Sequence, residues 1–176
     1  MLGYLDLSPF GEKYQDSANA GNLDLIAALE WIRDNIEGFG GDPENVTLFG
    51  QSGGGVKVWS LLQMPEADGL FHKGIIECGV VDPDLLGDIE DGNGREIVKA
   101  MLAELGLEEK DVDQLETLPY DQLAQAYENA APKVAQKGEY VGNHPHKNQS
   151  YFGDAIKHGF REETKKIPLL IGTVLG

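Results

Sequence analysis

Hydrophobic and polar residues follow a helical repeat in the first part of the chain. Apolar residues recur there at intervals of four, three and four positions, at Leu25, Leu29, Ile32 and Ile36. Residues with this spacing share one face of a helix, so the pattern predicts a helix from Ala18 to Glu37. Asn22 is the candidate for its N-terminal cap. The glycines and the proline between Phe39 and Asn45 should end the helix, because they disfavour helical backbone.

A short apolar run then predicts a strand that ends abruptly at a serine. Val46 to Phe49 are β-branched or large apolar residues, as in a strand that is buried on both faces. The pattern Gly-x-Ser-x-Gly of a nucleophile elbow follows, at Gly50, Gln51, Ser52, Gly53 and Gly54. An elbow holds its serine in a strained turn between a strand and a helix. Glycine is expected two residues before and two residues after the serine, because a Cβ there would clash with the neighbouring strand and helix.

The elbow assigns a chemical role to each of its residues. Ser52 would project its hydroxyl above the edge of the sheet, where it can act as a nucleophile. The Gly53 N–H lies at the positive end of the following helix and is the candidate donor to an oxyanion. Gln51 and Gly54 are the candidates for contact with the substrate. A tight strand-to-helix turn with a structural serine is the alternative interpretation.

Two other glycine-rich motifs fit this stretch less well. A phosphate-binding loop has a lysine and then a serine or threonine directly after its second glycine. If Gly50 and Gly55 are aligned with the two glycines of that loop, the next residues are Val56 and Lys57, so both positions fail. A dinucleotide-binding loop also fails, because the run after Gly53 has no third glycine at the required offset.

The residues from Asn22 to Gly55 resemble the type B carboxylesterases, the family that also holds the cholinesterases and the para-nitrobenzyl esterases. The resemblance continues through Leu70 to Gly79 and returns at Ile167 to Thr173. It implies an α/β fold, namely a partial α/β-hydrolase fold in which helices flank a mostly parallel central sheet and a helical insertion interrupts it. The family usually has glutamate directly before the serine, where this chain has Gln51.

The resemblance also divides the partial α/β-hydrolase domain of residues 1–176 into three stretches. Residues 1–81 would form the elbow-bearing core, residues 82–159 a mainly helical insertion, and residues 160–176 the return to a core strand. Apolar repeats predict helices within this plan, over Gly55 to Gln63, Arg95 to Leu105, Leu107 to Leu115 and Pro119 to Ala131. Two further apolar runs predict strands, at Lys73 to Cys78 and at Ile167 to Thr173.

The chain is strongly acidic, with 30 Asp and Glu residues, 14 Lys and Arg residues and a formal net charge of -16. Such a surface disfavours nucleic acids and anionic membranes as partners. The sequence has neither a charged-then-apolar leader nor an apolar run near the roughly 18 residues that a membrane span needs. We therefore expect a soluble, cytoplasmic protein. Its single cysteine, Cys78, excludes an internal disulfide and is expected to be a buried structural thiol.

Several other residues have a chemical and a structural interpretation, and the structural one is expected for each. Trp59 should belong to the core, and His72 should be a surface or capping residue. His144 and His146 can face one way on a strand and bind a metal, but no third ligand has a defined spacing to them. We therefore predict neither a metal nor an organic cofactor.

The resemblance implies a serine carboxylesterase, in which Ser52 attacks a small-molecule ester to form an acyl-enzyme that water then hydrolyses. The triad acid and histidine are expected beyond Gly176, and the remaining oxyanion donors well upstream of Ser52. A compact triad of Ser52, Asp82 and His158 is the alternative, although His158 precedes the strand that should deliver the acid. A serine without its base is a poor nucleophile, so the chain alone should be inactive or nearly so.

Missing neighbours would expose the edges of the core, through which the chain should self-associate or bind a complementary fragment. Two alternatives to an esterase stay open on sequence alone. One is a non-catalytic scaffold or adhesion-type member of the same fold, although such relatives typically lose the serine. The other is a truncated gene product without its own activity.

Overall fold

The computed structural model of the chain describes residues 2–80, 92–142 and 144–174. Its helices are α1 (Ala20–Asn35), α2 (Gly53–Leu61), α3 (Arg95–Glu104), α4 (Tyr120–Ala135) and α5 (Ala155–His158). Its strands are β1 (Thr47–Gln51), β2 (Lys73–Glu77) and β3 (Leu169–Gly172). The chain forms two compact units: a helical unit of Met1–Ala20 and Ile89–His146, and a sheet unit of Gly21–Asp88 and Lys147–Gly176.

The strands of the sheet unit form a parallel sheet in the order β1-β2-β3. Helix α2 packs against β1 and β2, so one face of the sheet is covered. Ile76, in the central strand, is fully buried beneath this layer. The indole of Trp59 packs edge-on against Phe160 and donates its Nε1–H to Asp154 at 3.1 Å. The predicted core position of Trp59 is therefore confirmed.

The other face of the sheet is exposed within the part of the chain that the structure describes. Phe49, Ile75 and Leu170 lie in one row across the three strands, on the face opposite Ile76. Phe49 is 77% exposed and Leu170 is 66% exposed. The prediction that the elbow strand is buried on both faces is therefore wrong. An apolar run indicates a strand, but it does not show whether the described residues supply a second layer to cover it.

Helix α1 lies within the helix predicted from the apolar repeat. Short 3₁₀ turns at Ser17–Asn19 and Ile36–Phe39 flank it. Asn22 does not cap the helix, because α1 begins at Ala20, two residues earlier. Its fully buried side chain donates from Nδ2 to the Ser60 hydroxyl at 2.8 Å. The same nitrogen lies 3.4 Å from the Met64 sulfur. The capping prediction is wrong, since the helix begins before Asn22 and the amide is bound in the core.

The helical unit is built on α3 and α4, which pack against each other. Its fully buried apolar side chains include Ile97, Val98, Met101 and Ala130. The helix predicted from Arg95 is confirmed, and the next predicted helix is a 3₁₀ segment at Glu109–Glu116. Helix α4 runs beyond its predicted end and contains Pro132. Within the described residues, no helix has the length and apolar character that crossing a membrane requires.

An open apolar pocket of about 280 Å³ lies beside β1, among residues of α1, β1 and α2. Leu25, Leu48 and Phe49 supply part of its wall. Lys57 is the one charged residue among the described residues that line it. Burial among apolar side chains disfavours the ammonium form, and it lowers the pKa of Lys57 to about 8.

The buried amide of Asn22 gives a test of the core. We expect Asn22→Ala to lower the free energy of unfolding by about 2–4 kcal/mol, because the Ser60 hydroxyl loses its donor and a small cavity opens. The matched control is Asn35→Ala, whose amide bonds the Trp31 carbonyl at an exposed site and should change stability by less than about 0.5 kcal/mol. Urea denaturation followed by circular dichroism measures both. Equal losses would contradict the assignment.

The pKa of Lys57 gives a prediction of pH dependence. Between about pH 8 and the ordinary lysine value of 10.5, the folded state has lost a proton that the unfolded state still holds. Stability therefore rises with pH across this window, relative to a variant without the lysine. We expect Lys57→Met to be more stable than the parent at pH 7, with the difference shrinking towards pH 10.

Lys110→Met is the control for that measurement, because the Lys110 side chain is 73% exposed. Its stability difference from the parent should stay nearly constant over the same range. Urea denaturation at half-unit intervals of pH measures the three proteins together. A constant difference for Lys57→Met would contradict the lowered pKa.

Candidate active site

The predicted elbow is a turn of one residue between β1 and α2. β1 ends at Gln51, α2 begins at Gly53, and Ser52 between them has φ 51° and ψ −118°. This is a conformation that residues with a Cβ rarely adopt, and such strain needs support from the surroundings. The Ser52 N–H donates to the Glu77 carbonyl at the end of β2 at 2.7 Å. Its carbonyl accepts from the Val56 N–H at 3.0 Å, inside the first turn of α2.

Close contact between glycine backbones holds the turn in place. A Cβ at Gly50 would overlap the Gly54 carbonyl group and lie 2.7 Å from the Gly55 nitrogen. Glycine is therefore required two residues before the serine, as predicted. A Cβ at Gly54 would meet no described atom within 4 Å, so the matching requirement two residues after the serine is wrong. Gly54 contributes its backbone to the contact, and the missing side chain that matters is that of Gly50.

A second glycine contact was not predicted from the sequence. A Cβ at Gly55 would lie 2.8 Å from the Gly79 Cα, and a Cβ at Gly79 would lie 2.5 Å from the Gly55 carbonyl carbon. Both glycines are visible in the sequence, as the last of three after Ser52 and as the residue after Cys78. Their pairing depends on the register of β1 and β2, which a local pattern does not contain.

The two central residues of the elbow are accessible from solvent. Ser52 and Gly53 are both exposed. The Gly53 N–H belongs to the first turn of α2, where amides have no carbonyl partner within the helix. Gln51 and Gly54, the predicted substrate contacts, are exposed on either side. The arrangement therefore presents a hydroxyl and a helix-terminal amide at the carboxyl edge of a parallel sheet.

None of the described residues forms a hydrogen bond with the Ser52 hydroxyl. His72 lies at the opposite end of β1, where its Nδ1 accepts from the Val46 N–H at 3.2 Å, so its predicted structural role is confirmed. His158 ends α5, with its ring beside Gly153. Asp82, the acid of the alternative triad, lies outside the described residues. Within the part of the chain that the structure describes, no histidine or carboxylate is hydrogen-bonded to the Ser52 hydroxyl.

Cys78 differs from its predicted role. The residue is only partly buried and has φ 53°, so the prediction of a buried thiol is wrong. It directly follows the last residue of β2 and therefore lies at the carboxyl ends of the strands, not within the sheet.

His144 and His146 both lie beside the Tyr140 ring in the helical unit, with ring centroids 5.6 Å and 4.8 Å from it. The His144 Nδ1 lies 3.2 Å from the Pro145 carbonyl oxygen. Among the described residues, no group of three or more His, Cys, Asp or Glu side chains is placed to hold a metal ion.

The glycine contacts predict opposite effects for two neighbouring substitutions. Gly50→Ala should lower the free energy of unfolding by several kcal/mol, since its Cβ overlaps fixed backbone of α2. Gly54→Ala should be neutral or stabilising by up to about 1 kcal/mol, because its Cβ enters open space in a helix. Thermal and urea denaturation of the two variants measure the difference. Similar stabilities would contradict the geometry of the turn.

Comparison with known proteins supports this description of the fold. The model of the carboxylesterase family matches residues 1–175. The para-nitrobenzyl esterase of Bacillus subtilis (strain 168) is 38% identical over 182 aligned residues, which cover 98% of this chain and 34% of that protein. Carboxylesterase 5A of Felis catus is 59% identical over 64 residues, or 36% of this chain and 12% of that protein.

A solved structure gives the same result. An esterase from the anaerobic Clostridium hathewayi that can hydrolyze aliphatic aromatic polyesters superposes with a TM-score of 0.95 at 54% identity. The match covers 99% of this chain and 34% of that one, so the chain spans about one third of the length of these two esterases. The prediction of a partial α/β-hydrolase fold is confirmed. On the family match, the strand–serine–helix turn and the shared fold, the chain belongs to the carboxylesterase family.

Proposed function

We propose that this chain carries the nucleophile of a carboxylic ester hydrolase and that Ser52 is that nucleophile. The observation that carries the proposal is the conformation of Ser52, a strained and exposed serine between β1 and α2. A structural serine in an ordinary turn would not need this strain, whereas an elbow uses it to raise the hydroxyl above the strand ends. The esterase activity of the relatives agrees with this assignment.

The reaction follows from the positions of two groups. The Ser52 Oγ attacks the carbonyl carbon of a small-molecule ester while its proton passes to a general base, and the carbonyl oxygen becomes an oxyanion. The Gly53 N–H supplies one hydrogen bond to that oxyanion. The tetrahedral intermediate then collapses, the alcohol leaves with the proton from the base, and an acyl group stays on Oγ. Water repeats the sequence and releases the acid.

We further propose that the general base comes from outside the described residues. The Ser52 hydroxyl has no partner among them, and His72 is fixed at the far end of β1. A serine hydroxyl without a base reacts slowly at neutral pH, and loss of a triad member typically lowers the rate by several orders of magnitude. The isolated chain should therefore acylate very slowly.

The open sheet supports a complementary segment of an esterase as the partner of this chain. β1 and β3 are both edge strands among the described residues, and neither contains a charged residue. Edge strands that are meant to stay unpaired usually carry charge, proline or a bulge. The net charge of -16 makes a second copy of the same chain electrostatically unfavourable. A segment that adds further strands, as in the longer relatives, satisfies both observations.

The activity is tested by labelling with a fluorophosphonate, followed by mapping of the modified peptide. We compare the 176-residue chain with a chimera in which residues 1–175 replace the matching third of the Clostridium hathewayi esterase. The chimera should be labelled at Ser52 and should hydrolyse p-nitrophenyl acetate, and the chain alone should not. Ser52→Ala in the chimera is the matched control and should abolish both signals.

Two outcomes would contradict the proposal in different ways. A folded chimera that is neither labelled nor active would exclude the nucleophile and favour a non-catalytic scaffold. Labelling of the isolated chain would show that it already contains a base, and His158→Ala would then be the first variant to make. Sedimentation of the isolated chain as a stable dimer would favour self-association over a complementary segment.

A further inference from the structure

Two neighbouring strands end in the same unusual way. In the register of the sheet, Gln51 of β1, Glu77 of β2 and Gly172 of β3 lie in one row. The next residue on β1 is Ser52, with φ 51°, and the next residue on β2 is Cys78, with φ 53°. Among the described residues, these are the two with a side chain and a positive φ. Each is followed by a glycine. The elbow therefore lies beside a second turn of similar form.

Backbone hydrogen bonds connect the two turns in series. The Ser52 N–H donates to the Glu77 carbonyl, and the Cys78 N–H donates to the Gly172 carbonyl, each at 2.7 Å. The orientation of the Ser52 peptide is thus fixed by the carbonyl of the residue directly before Cys78. The orientation of the Cys78 peptide is fixed in the same way by the last carbonyl of β3.

The second turn also supports the start of the elbow helix. A Cβ at Gly79 would lie 2.5 Å from the Gly55 carbonyl carbon and 2.8 Å from the Val56 nitrogen. The Val56 N–H is the donor to the Ser52 carbonyl. Gly79 is therefore in contact with the peptide that closes the first turn of α2, and any displacement of that peptide reaches Ser52 through one hydrogen bond.

The Cys78 side chain extends the connection to the segment after β3. Its sulfur accepts from the Val174 N–H at 3.4 Å and lies 3.7 Å from the Thr173 hydroxyl. A backbone with φ near 53° is accommodated most easily by glycine. The thiol therefore occupies a position where the backbone disfavours any side chain. Its contacts with residues 173 and 174 are the interactions that offset this strain.

We propose that Cys78 and Gly79 are positioning residues for the esterase reaction, which fix Ser52 and the start of the segment after β3 relative to each other. Gly79 positions Ser52, through its contact with the first turn of α2. Cys78 positions the start of the segment after β3, through its sulfur. Positioning of this kind affects the rate of the chemical step, because small displacements of a nucleophile are costly.

The first test does not depend on the proposed function. Gly79→Ala in the 176-residue chain should raise the hydrogen-exchange rate of the Ser52 amide by about tenfold or more, since its Cβ displaces the peptide that holds the turn. Gly38→Ala is the control, because a Cβ at Gly38 meets nothing within 4 Å. It should leave that rate unchanged. An unchanged exchange rate of the Ser52 amide in Gly79→Ala would overturn the proposal that Gly79 positions Ser52.

The second test rests on the proposed function and uses the chimera described above. Cys78→Gly removes the sulfur at a position where glycine fits the backbone, so the thermal midpoint should stay the same or rise. We expect kcat for p-nitrophenyl acetate to fall by about tenfold and KM to stay within about twofold. Cys78→Ser restores an acceptor for the Val174 N–H and should recover most of kcat.

If Cys78 had only a structural role, kcat in its variants would change in parallel with their thermal midpoints. Unchanged kcat in Cys78→Gly, or a loss that parallels the thermal midpoint and is not recovered in Cys78→Ser, would overturn the role of the thiol. An inactive chimera with the parent sequence would instead contradict the proposed function. The exchange measurement would still decide whether Gly79 positions Ser52.

Discussion

The close approach of glycine backbones at the carboxyl edge of the sheet is the constraint on which the elbow depends. The strained conformation of Ser52 persists only because the strand before it and the helix after it are held too close together for side chains between them. Gly50 allows the helix to touch β1, and Gly55 and Gly79 allow it to touch the turn after β2. The exposed hydroxyl is thus a consequence of packing several residues away.

The sequence predicts those parts of this arrangement that are local. Gly-x-Ser-x-Gly places a turn, and the apolar repeats of α1 and α3 place helices, because in each case the cause lies within a few residues. Asn22 shows the limit of local reasoning. Its residue type suits a cap, but the helix begins two residues earlier, after a 3₁₀ turn, and the amide is buried against the Ser60 hydroxyl of α2. The residue type of a cap indicates that a helix starts nearby, but not at which residue it starts.

Other features that sequence reasoning missed depend on how separate elements pair or cover one another. Phe49 is a large apolar residue of the kind that is usually buried, yet its exposure depends on whether another layer lies over β1. The contact between Gly55 and Gly79 joins residues whose relation exists only through the register of β1 and β2. Cys78 ends an apolar strand, as a buried thiol would, but its backbone turns out of the sheet at that residue. The hydrophobic pattern of the sequence describes one element at a time and does not predict which elements pair.

A parallel sheet explains how a chain about one third as long as its esterase relatives can hold a fully formed strained serine turn. All strands of such a sheet end at the same edge, so residues that are far apart in sequence meet there. The elbow needs only β1, α2 and the turn after β2, which are close in sequence and satisfied by their own contacts. The general base that we propose for Ser52 lies outside the described residues. The geometry of the serine is therefore a local property of this chain, whereas the proposed base depends on residues beyond those that the structure describes.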